Sequence, residues 1–396
     1  MDGEDIRAFL LKLFQTVSGT PPSTAETHRL EIAWLPAAPT EGWASMDRYW
    51  RELQRQAAVS PLENAHIFCP LGDAPVESRR AGALRRALSK YLLYPCKASR
   101  LRADLVHLLD HSYAHLLRRL PRGVRSIATA FDLVPLVDAR GLSAAQVRRF
   151  RETVRNLSRA DLVIAMSQQT ERDLIRLAGV APERIRVVYP GTDLAAFAKP
   201  AGDFPSLRSL PAEAKLLLSV GDTGPRKNLP FLLHALAPLS EEFQQGRCCL
   251  VRAGKKMEPE LAEKFRQLLG RGFTELGPRF GGELIALYQR ATVFLMPSTL
   301  EGFSFTMMEA MAAGVPVVAN RVSTNPEVGH DAVLYHENGD AAGAANQIAA
   351  LLRDERLRRE YRSRGETRVA MLTWENHWQA VKECYRSLSG VNPGGS

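Results

Sequence analysis

Short apolar runs of strand length recur along this chain, with helix-periodic segments between them, almost from end to end. That alternation admits few folds, because such strands bury a parallel sheet between helical layers. The first half offers RLEIAWLP, AHIFCPL, DLVHLL, SIATAF, DLVIAMS and IRVVYPG as strands. The second half offers KLLLSVG, RCCLVRAG, FTELG, TVFLMPS and VPVVANR. LPFLLHALAPL and GELIALYQRA read as helices. The Gly/Pro-rich stretch YPGTDLAAFAKPAGDFPS separates the two sets,. The fold class is therefore α/β, with one unit over residues 1–195 and a second over 196–372. Residues 373–396 form a last amphipathic helix, through Trp374, Trp378, Val381 and Tyr385, and a loose tail. Residues 1–29 read as a short helix and a linker.

Composition narrows the class. Hydrophobic residues make up 45% and charged residues 24%, as in a soluble globular protein,. The chain contains no apolar run long enough to span a bilayer. Its start is acidic and then amphipathic, the wrong order for a secretion signal. The five cysteines are an odd number without metal-type spacing, which predicts a reduced, cytoplasmic setting. The net charge is +9, and Arg79–Arg125 holds twelve Lys/Arg against only Asp104 and Asp110. Interleaved with Leu and Tyr, this stretch suits an anionic surface, such as phospholipid, a lipid diphosphate or nucleic acid. A solvated helix face is the plainer alternative.

In open α/β sheets ligands bind beyond the carboxyl ends of the strands, so the loops there carry the chemistry. In LLLSVGDTGPRKNLPFLLHAL a strand runs into a loop bearing Gly221 and Gly224. Arg226 and Lys227 then open a helix near Leu229, and paired cations at a helix start suit a diphosphate. In STLEGFSFTMMEAMAAG a strand ends at Ser298. A turn follows at Glu301, Gly302, Phe303 and Ser304, and a helix begins near Thr306. Gly302 lets backbone approach a ligand closely. Glu301 and Glu309 are placed to accept hydrogen bonds from sugar hydroxyls, since a buried carboxylate needs such partners.

These motifs, with VVYPGTD before them, resemble the retaining glycosyltransferases of family 4. The resemblance implies a GT-B fold of two Rossmann-like domains facing across a cleft, with the last helix returning to the first domain. It further implies transfer of a sugar from a nucleotide-diphosphate donor to an acceptor. The residues matching Arg226 and Lys227 hold the diphosphate. Those matching Glu301 and the Gly302–Ser304 backbone hold the sugar, and the one matching Glu309 holds the ribose. Arg279 and Phe280 fall where the family contacts the base. The sequence contains no Asp-x-Asp, so a metal-bridged diphosphate is not expected, nor is a cofactor.

The first unit should face the acceptor. Gly42 and Trp43 stand where the family has a glycine-rich loop, with a single glycine in place of two. His107, His111 and His115 recur at four-residue intervals, but DLVHLL reads as a strand, which argues against a zinc stripe. Phe131 stands where many family members carry a histidine. Asp132 remains beside it, as an orienting carboxylate or a turn cap, and His111 is the substitute candidate for sugar hydroxyls. The expected enzyme moves a mannose- or glucose-type hexose from GDP or UDP to a lipid-linked or envelope saccharide. It works in the cytoplasm, with peripheral membrane contact through Arg79–Arg125 and no nucleic-acid partner. The alternatives are a non-catalytic polyanion- or membrane-binding protein, or another GT-B enzyme such as a sugar-nucleotide epimerase.

Overall fold

The computed structural model describes residues 29–37, 44–70, 87–200 and 202–389. Gly42, Trp43, residues 1–28 and the Arg79–Arg86 part of the basic stretch lie outside these residues.

The first sheet contains β1 (Leu30–Leu35), β2 (Ala65–Phe68), β3 (Leu105–Leu108), β4 (Arg125–Ala130), β5 (Leu162–Ala165) and β6 (Ile185–Val187). Its strand order is β2-β1-β3-β4-β5-β6. The second sheet contains β7 (Lys215–Gly221), β8 (Cys248–Gly254), β9 (Phe273–Gly277), β10 (Val293–Met296), β11 (Val317–Asn320) and β12 (Val333–His336). Its order is β12-β11-β10-β7-β8-β9. Every pairing is parallel. Strands β3, β5, β10 and β11 are buried at every position, because helices cover both faces of each sheet. This is the two-sheet α/β architecture expected. The strand β12 was not among the strands expected.

Eight helices position the features described below: α1 (Ala44–Val59), α2 (Gln168–Asp173), α3 (Leu229–Leu236), α4 (Gly281–Arg290), α5 (Phe305–Ala312), α6 (Asn325–Gly329), α7 (Glu355–Val369) and α8 (Trp374–Ser389). The Met/Ala-rich sequence of α5 favours helix, and the helix stops before Gly314, which is left-handed at φ +70°,. Trp374, Trp378 and Tyr385 of α8 join Ile32, Trp34 and Tyr49 in one hydrophobic cluster on the first sheet. Trp378 Nε1 donates to the Ser60 carbonyl at 2.7 Å. Trp34 Nε1 donates to the Tyr385 hydroxyl at 2.8 Å, which lies 2.7 Å from His107 Nδ1. The two crossings between the sheets run side by side, since Thr192 N donates to the Leu372 carbonyl at 2.9 Å. Close packing there requires Gly191, where a Cβ would stand 2.1 Å from Trp374 N.

The three regularly spaced histidines serve separate contacts. His107 is wholly buried in β3, with Nε2 2.8 Å from Thr129 Oγ1. His115 Nε2 lies 2.9 Å from the Lys90 carbonyl. His111 is buried, and its Nδ1 accepts from the Phe131 amide at 3.4 Å.

Candidate active site

In the second sheet the neighbours β7 and β10 send their following connections to opposite sides. Such a reversal opens a crevice at the carboxyl ends of the two strands. The loops after these strands are tied together there, as Thr299 N donates to the Arg226 carbonyl at 2.8 Å.

Gly221, at φ +141°, closes β7. Its carbonyl and that of Asp222 each accept from Arg252 Nη2 at 2.6 Å. Arg252 is a buried guanidinium in β8, and burial lowers its pKa. The Gly224 amide donates to Asp222 Oδ1 at 2.8 Å, shaping the turn. Arg226 and Lys227 were expected to open the next helix. They instead occupy a separate 3-10 turn, Pro225–Lys227, ahead of a left-handed Asn228. Pro225 and Pro230 both lack an amide hydrogen, which favours two short elements over one continuous helix.

The two cations converge on Glu301. Arg226 Nη1 donates to Glu301 Oε2 at 2.9 Å, and Lys227 Nζ to Oε1 at 2.5 Å. Arg226 also bonds Asp222 Oδ2 at 3.0 Å. Burial lowers the Arg226 pKa, but Glu301, Asp222 and Asp132 outweigh it, so the pKa stands raised. The Glu301 backbone is held as well, since its carbonyl accepts from Ser323 Oγ at 2.7 Å.

Glu309 is buried in α5 and has a partner on each oxygen. The Tyr288 hydroxyl of α4 donates to Oε2 at 2.9 Å. Arg48 of α1 donates to Oε1 at 2.5 Å, from the opposite half of the molecule. Burial, then the Glu309 charge, raise the Tyr288 pKa well above its usual value, so it stays a donor.

The halves meet at further points. Asp132, in the loop after β4, lies against Gly302, and its Oδ1 accepts from the Val134 amide at 3.0 Å as a turn cap. Ser167 Oγ donates to the Gly302 carbonyl at 3.3 Å. Glu327 of α6 accepts from the amides of Gln168 and Gln169 at the start of α2, at 2.5 and 3.2 Å.

The remaining candidates sit less directly. Phe303 and the Ser304 side chain are buried, and Ser304 Oγ donates to Asn325 Oδ1 at 2.6 Å. Arg279 and Phe280 follow β9 at the same sheet edge. Arg279 pairs with Glu283 at 2.9 Å, and Phe280 is exposed. His111 packs with its ring edge-on to Phe150, 5.7 Å away. Arg48, Tyr288, Arg252 and Glu327 were not among the expected site residues. Burial of one Tyr in GGELIALYQRA is ordinary, and the other three act through partners distant in the chain.

Residues 40–196 match the family described as Glycosyltransferase Family 4, and residues 214–354 match Glycosyl transferases group 1. A serotype-specific mannosyltransferase of Escherichia coli is 29% identical over 64% of this chain and 32% of its own length. A D-inositol 3-phosphate glycosyltransferase of Corynebacterium efficiens is 34% identical over 50% of each chain. The chain thus spans about a third to a half of the length of these curated relatives. Among solved structures, sucrose-phosphate synthase of Thermosynechococcus elongatus superposes with a TM-score of 0.71 at 23% identity, covering 92% of this chain and all of that one. The Anabaena protein HepE, in complex with UDP and glucose, superposes at 0.65 and 18% identity, over 90% of this chain and 100% of that one. The two family matches fall on the two sheets in turn, the shared architecture is GT-B, and the Arg-Lys and paired-glutamate loops meet at the sheet reversal; the chain belongs to the family 4 glycosyltransferases.

Proposed function

We propose that this chain transfers a hexose, of mannose or glucose type, from a GDP- or UDP-sugar to a lipid-linked or envelope saccharide. Retention at the anomeric carbon and independence of metal are part of the proposal. The observation that carries it is the Arg226–Glu301–Lys227 ion triad at the reversal of the second sheet, facing Asp132 of the first. The mannosyltransferase relative supports the hexose, and HepE bound to UDP and glucose supports the donor class.

The triad suggests an exchange of partners. Without donor, the carboxylate neutralises the cations, which keeps a buried acid compensated. With donor, the diphosphate takes Arg226 and Lys227, and Glu301 turns to the sugar hydroxyls. The bond from the anomeric carbon to the phosphate oxygen then breaks, and its electron pair stays on the diphosphate. Arg226 and Lys227 stabilise that charge from fixed positions. The acceptor hydroxyl attacks from the same face and gives its proton to the departing phosphate oxygen. Asp132, through its place against Gly302, orients the sugar. Glu309 holds the ribose, and Arg279 and Phe280 border the base. Gly42, Trp43 and His111 belong to the acceptor side.

Thermal unfolding with UDP-, GDP- and ADP-sugars in turn tests the reading, because a ligand specific to the native state raises its stability. One nucleotide class should raise Tm, and R226A or K227A should abolish the shift. The nucleoside diphosphate should then be released rapidly only when an acceptor glycan is added. No shift with any nucleotide sugar overturns the proposal.

Contact with an anionic membrane face is the second part of the reading. Leu88, Tyr91 and Leu92 are exposed beside the basic residues Lys97, Arg100 and Arg102, the mix that binds headgroups. Co-sedimentation with phosphatidylglycerol vesicles at low salt, lost at high salt and absent with phosphatidylcholine, is the expected outcome. Equal binding to both lipids rejects it.

A further inference from the structure

Arg48 stands on α1, in the half opposite Glu309, yet it holds one oxygen of that carboxylate at 2.5 Å. Its guanidinium also lies over the Phe305 ring, 5.9 Å from the centroid. The pair is largely withdrawn from water, with 29% of the Arg48 side chain and 10% of the Glu309 side chain exposed. The helix that presents Arg48 is fixed. The next residue, Tyr49, is buried, with its hydroxyl 3.3 Å from Thr129 Oγ1 and 3.2 Å from His377 Nε2. Any change at this contact therefore involves the side chain and the approach of the two halves, not a movement of α1 within its own half.

We propose that Arg48, supplied by the opposite half, is an internal competitor for the ribose site. It occupies Glu309 in the nucleotide-free protein and is displaced by the ribose hydroxyls. Entry of the donor exchanges a cross-cleft ion pair for hydrogen bonds to a sugar. The inference rests on the donor reading above and adds a competitor to it. A part-buried ion pair opposes any ligand that needs the same carboxylate oxygen. It does not oppose a ligand that uses only the cations Arg226 and Lys227.

The test measures affinity by calorimetry for UDP, GDP and inorganic pyrophosphate, with wild type, R48Q, E309Q and the double variant. R48Q should bind its preferred nucleoside diphosphate about three- to tenfold more tightly, the scale of one such pair removed. Pyrophosphate, which has no ribose, should bind both proteins equally. In the E309Q background R48Q should change nothing. If R48Q does not fold, R48K serves in its place. Its ammonium lacks the guanidinium fork and should give a smaller gain in the same direction. Unchanged or weaker nucleotide binding in the Arg48 variants overturns the inference and leaves the donor reading intact. An equal gain for pyrophosphate overturns it too, because the effect is then one of charge alone. Failure of wild type to bind either nucleotide overturns the donor reading and this inference with it.

Discussion

Asp132 and Gly302 lie in loops that follow strands of different sheets, yet they touch so closely that a Cβ on Gly302 would stand 2.5 Å from Asp132 Oδ2 and Cβ. A glycine is needed here for room between the halves, directly beside Glu301. Gly302→Ala should push the halves apart by about a bond length. Misplacement on that scale costs about 100-fold in rate. The expected result is a loss of that order in sugar transfer, with a melting temperature close to wild type. Asp132→Gly in the same chain removes both clashing atoms and should restore the compact scattering profile, though not the rate. Full activity in G302A would show that the contact is incidental.

The ion triad predicts effects of opposite sign on its members. K227A or R226A removes a diphosphate partner and leaves Glu301 less compensated, so UDP or GDP affinity should fall at least about tenfold. Glu301→Gln releases both cations from that carboxylate, with Arg226 still held by Asp222, so nucleotide affinity should hold or improve. Its kcat should nevertheless drop about 100- to 1000-fold, through lost contacts to the reacting sugar. The double variant R226A/K227A strands a buried carboxylate at a cost of about 3–5 kcal/mol. Urea unfolding should show that loss, and calorimetry on each single variant checks the split.

The strands were legible because each is a compact apolar run between turn residues. The loops after β7 and β10 were legible because glycines and charges cluster where a strand stops. VLYH of β12 was not, being four residues long and half-buried at two of them. Nor was α7, whose sequence ERLRREYRSRGETRV buries only Gly365 and Val369, so no apolar stripe marks it. Arg48 follows the Gly42-Trp43 loop in SMDRYWREL, a stretch that carried no expected role and that forms part of α1. Its bond to Glu309 joins residues 261 apart in the chain, and no spacing rule reaches that far. The triad itself was half-visible. The cations and the acid were each read as ligand groups, but their pairing with one another depends on how the loops fold together.

Two buried histidines set a pH limit on stability. Burial lowers the His377 pKa to about 4 and the His107 pKa to about 3. Each is neutral in the folded protein and titrates near 6.5 once unfolded. As pH falls below about 6.5 the unfolded chain binds these protons and the folded one does not, so stability drops. The loss continues down to the folded-state values. Between pH 7 and pH 5, His377 alone should account for about 2 kcal/mol. Urea midpoints across this range should fall with pH, and less steeply in H377N. A flat profile down to pH 5 would refute the assignment.

The last helix makes the first sheet dependent on the end of the chain. Trp378 is fully buried and packs edge-on against Trp34, with ring centroids 5.9 Å apart. Replacing it with Ala leaves a cavity and strips the Ser60 carbonyl of its indole donor, at a cost of about 3–5 kcal/mol. Because α8 follows the second unit in sequence but completes the core of the first, the damage should appear in the first unit. Hydrogen exchange in W378A should speed up across β1 and β3 and hardly change across β7 and β10. Thr192 and Leu372 tie the crossings together beside this helix, so a loosened α8 also loosens the two crossings. Transfer rates should then fall further than nucleotide affinity, since β7 and β10 keep the Arg226–Glu301–Lys227 triad while its approach to Asp132 is lost. Uniform exchange in both sheets would mean instead that the molecule unfolds as a single cooperative unit.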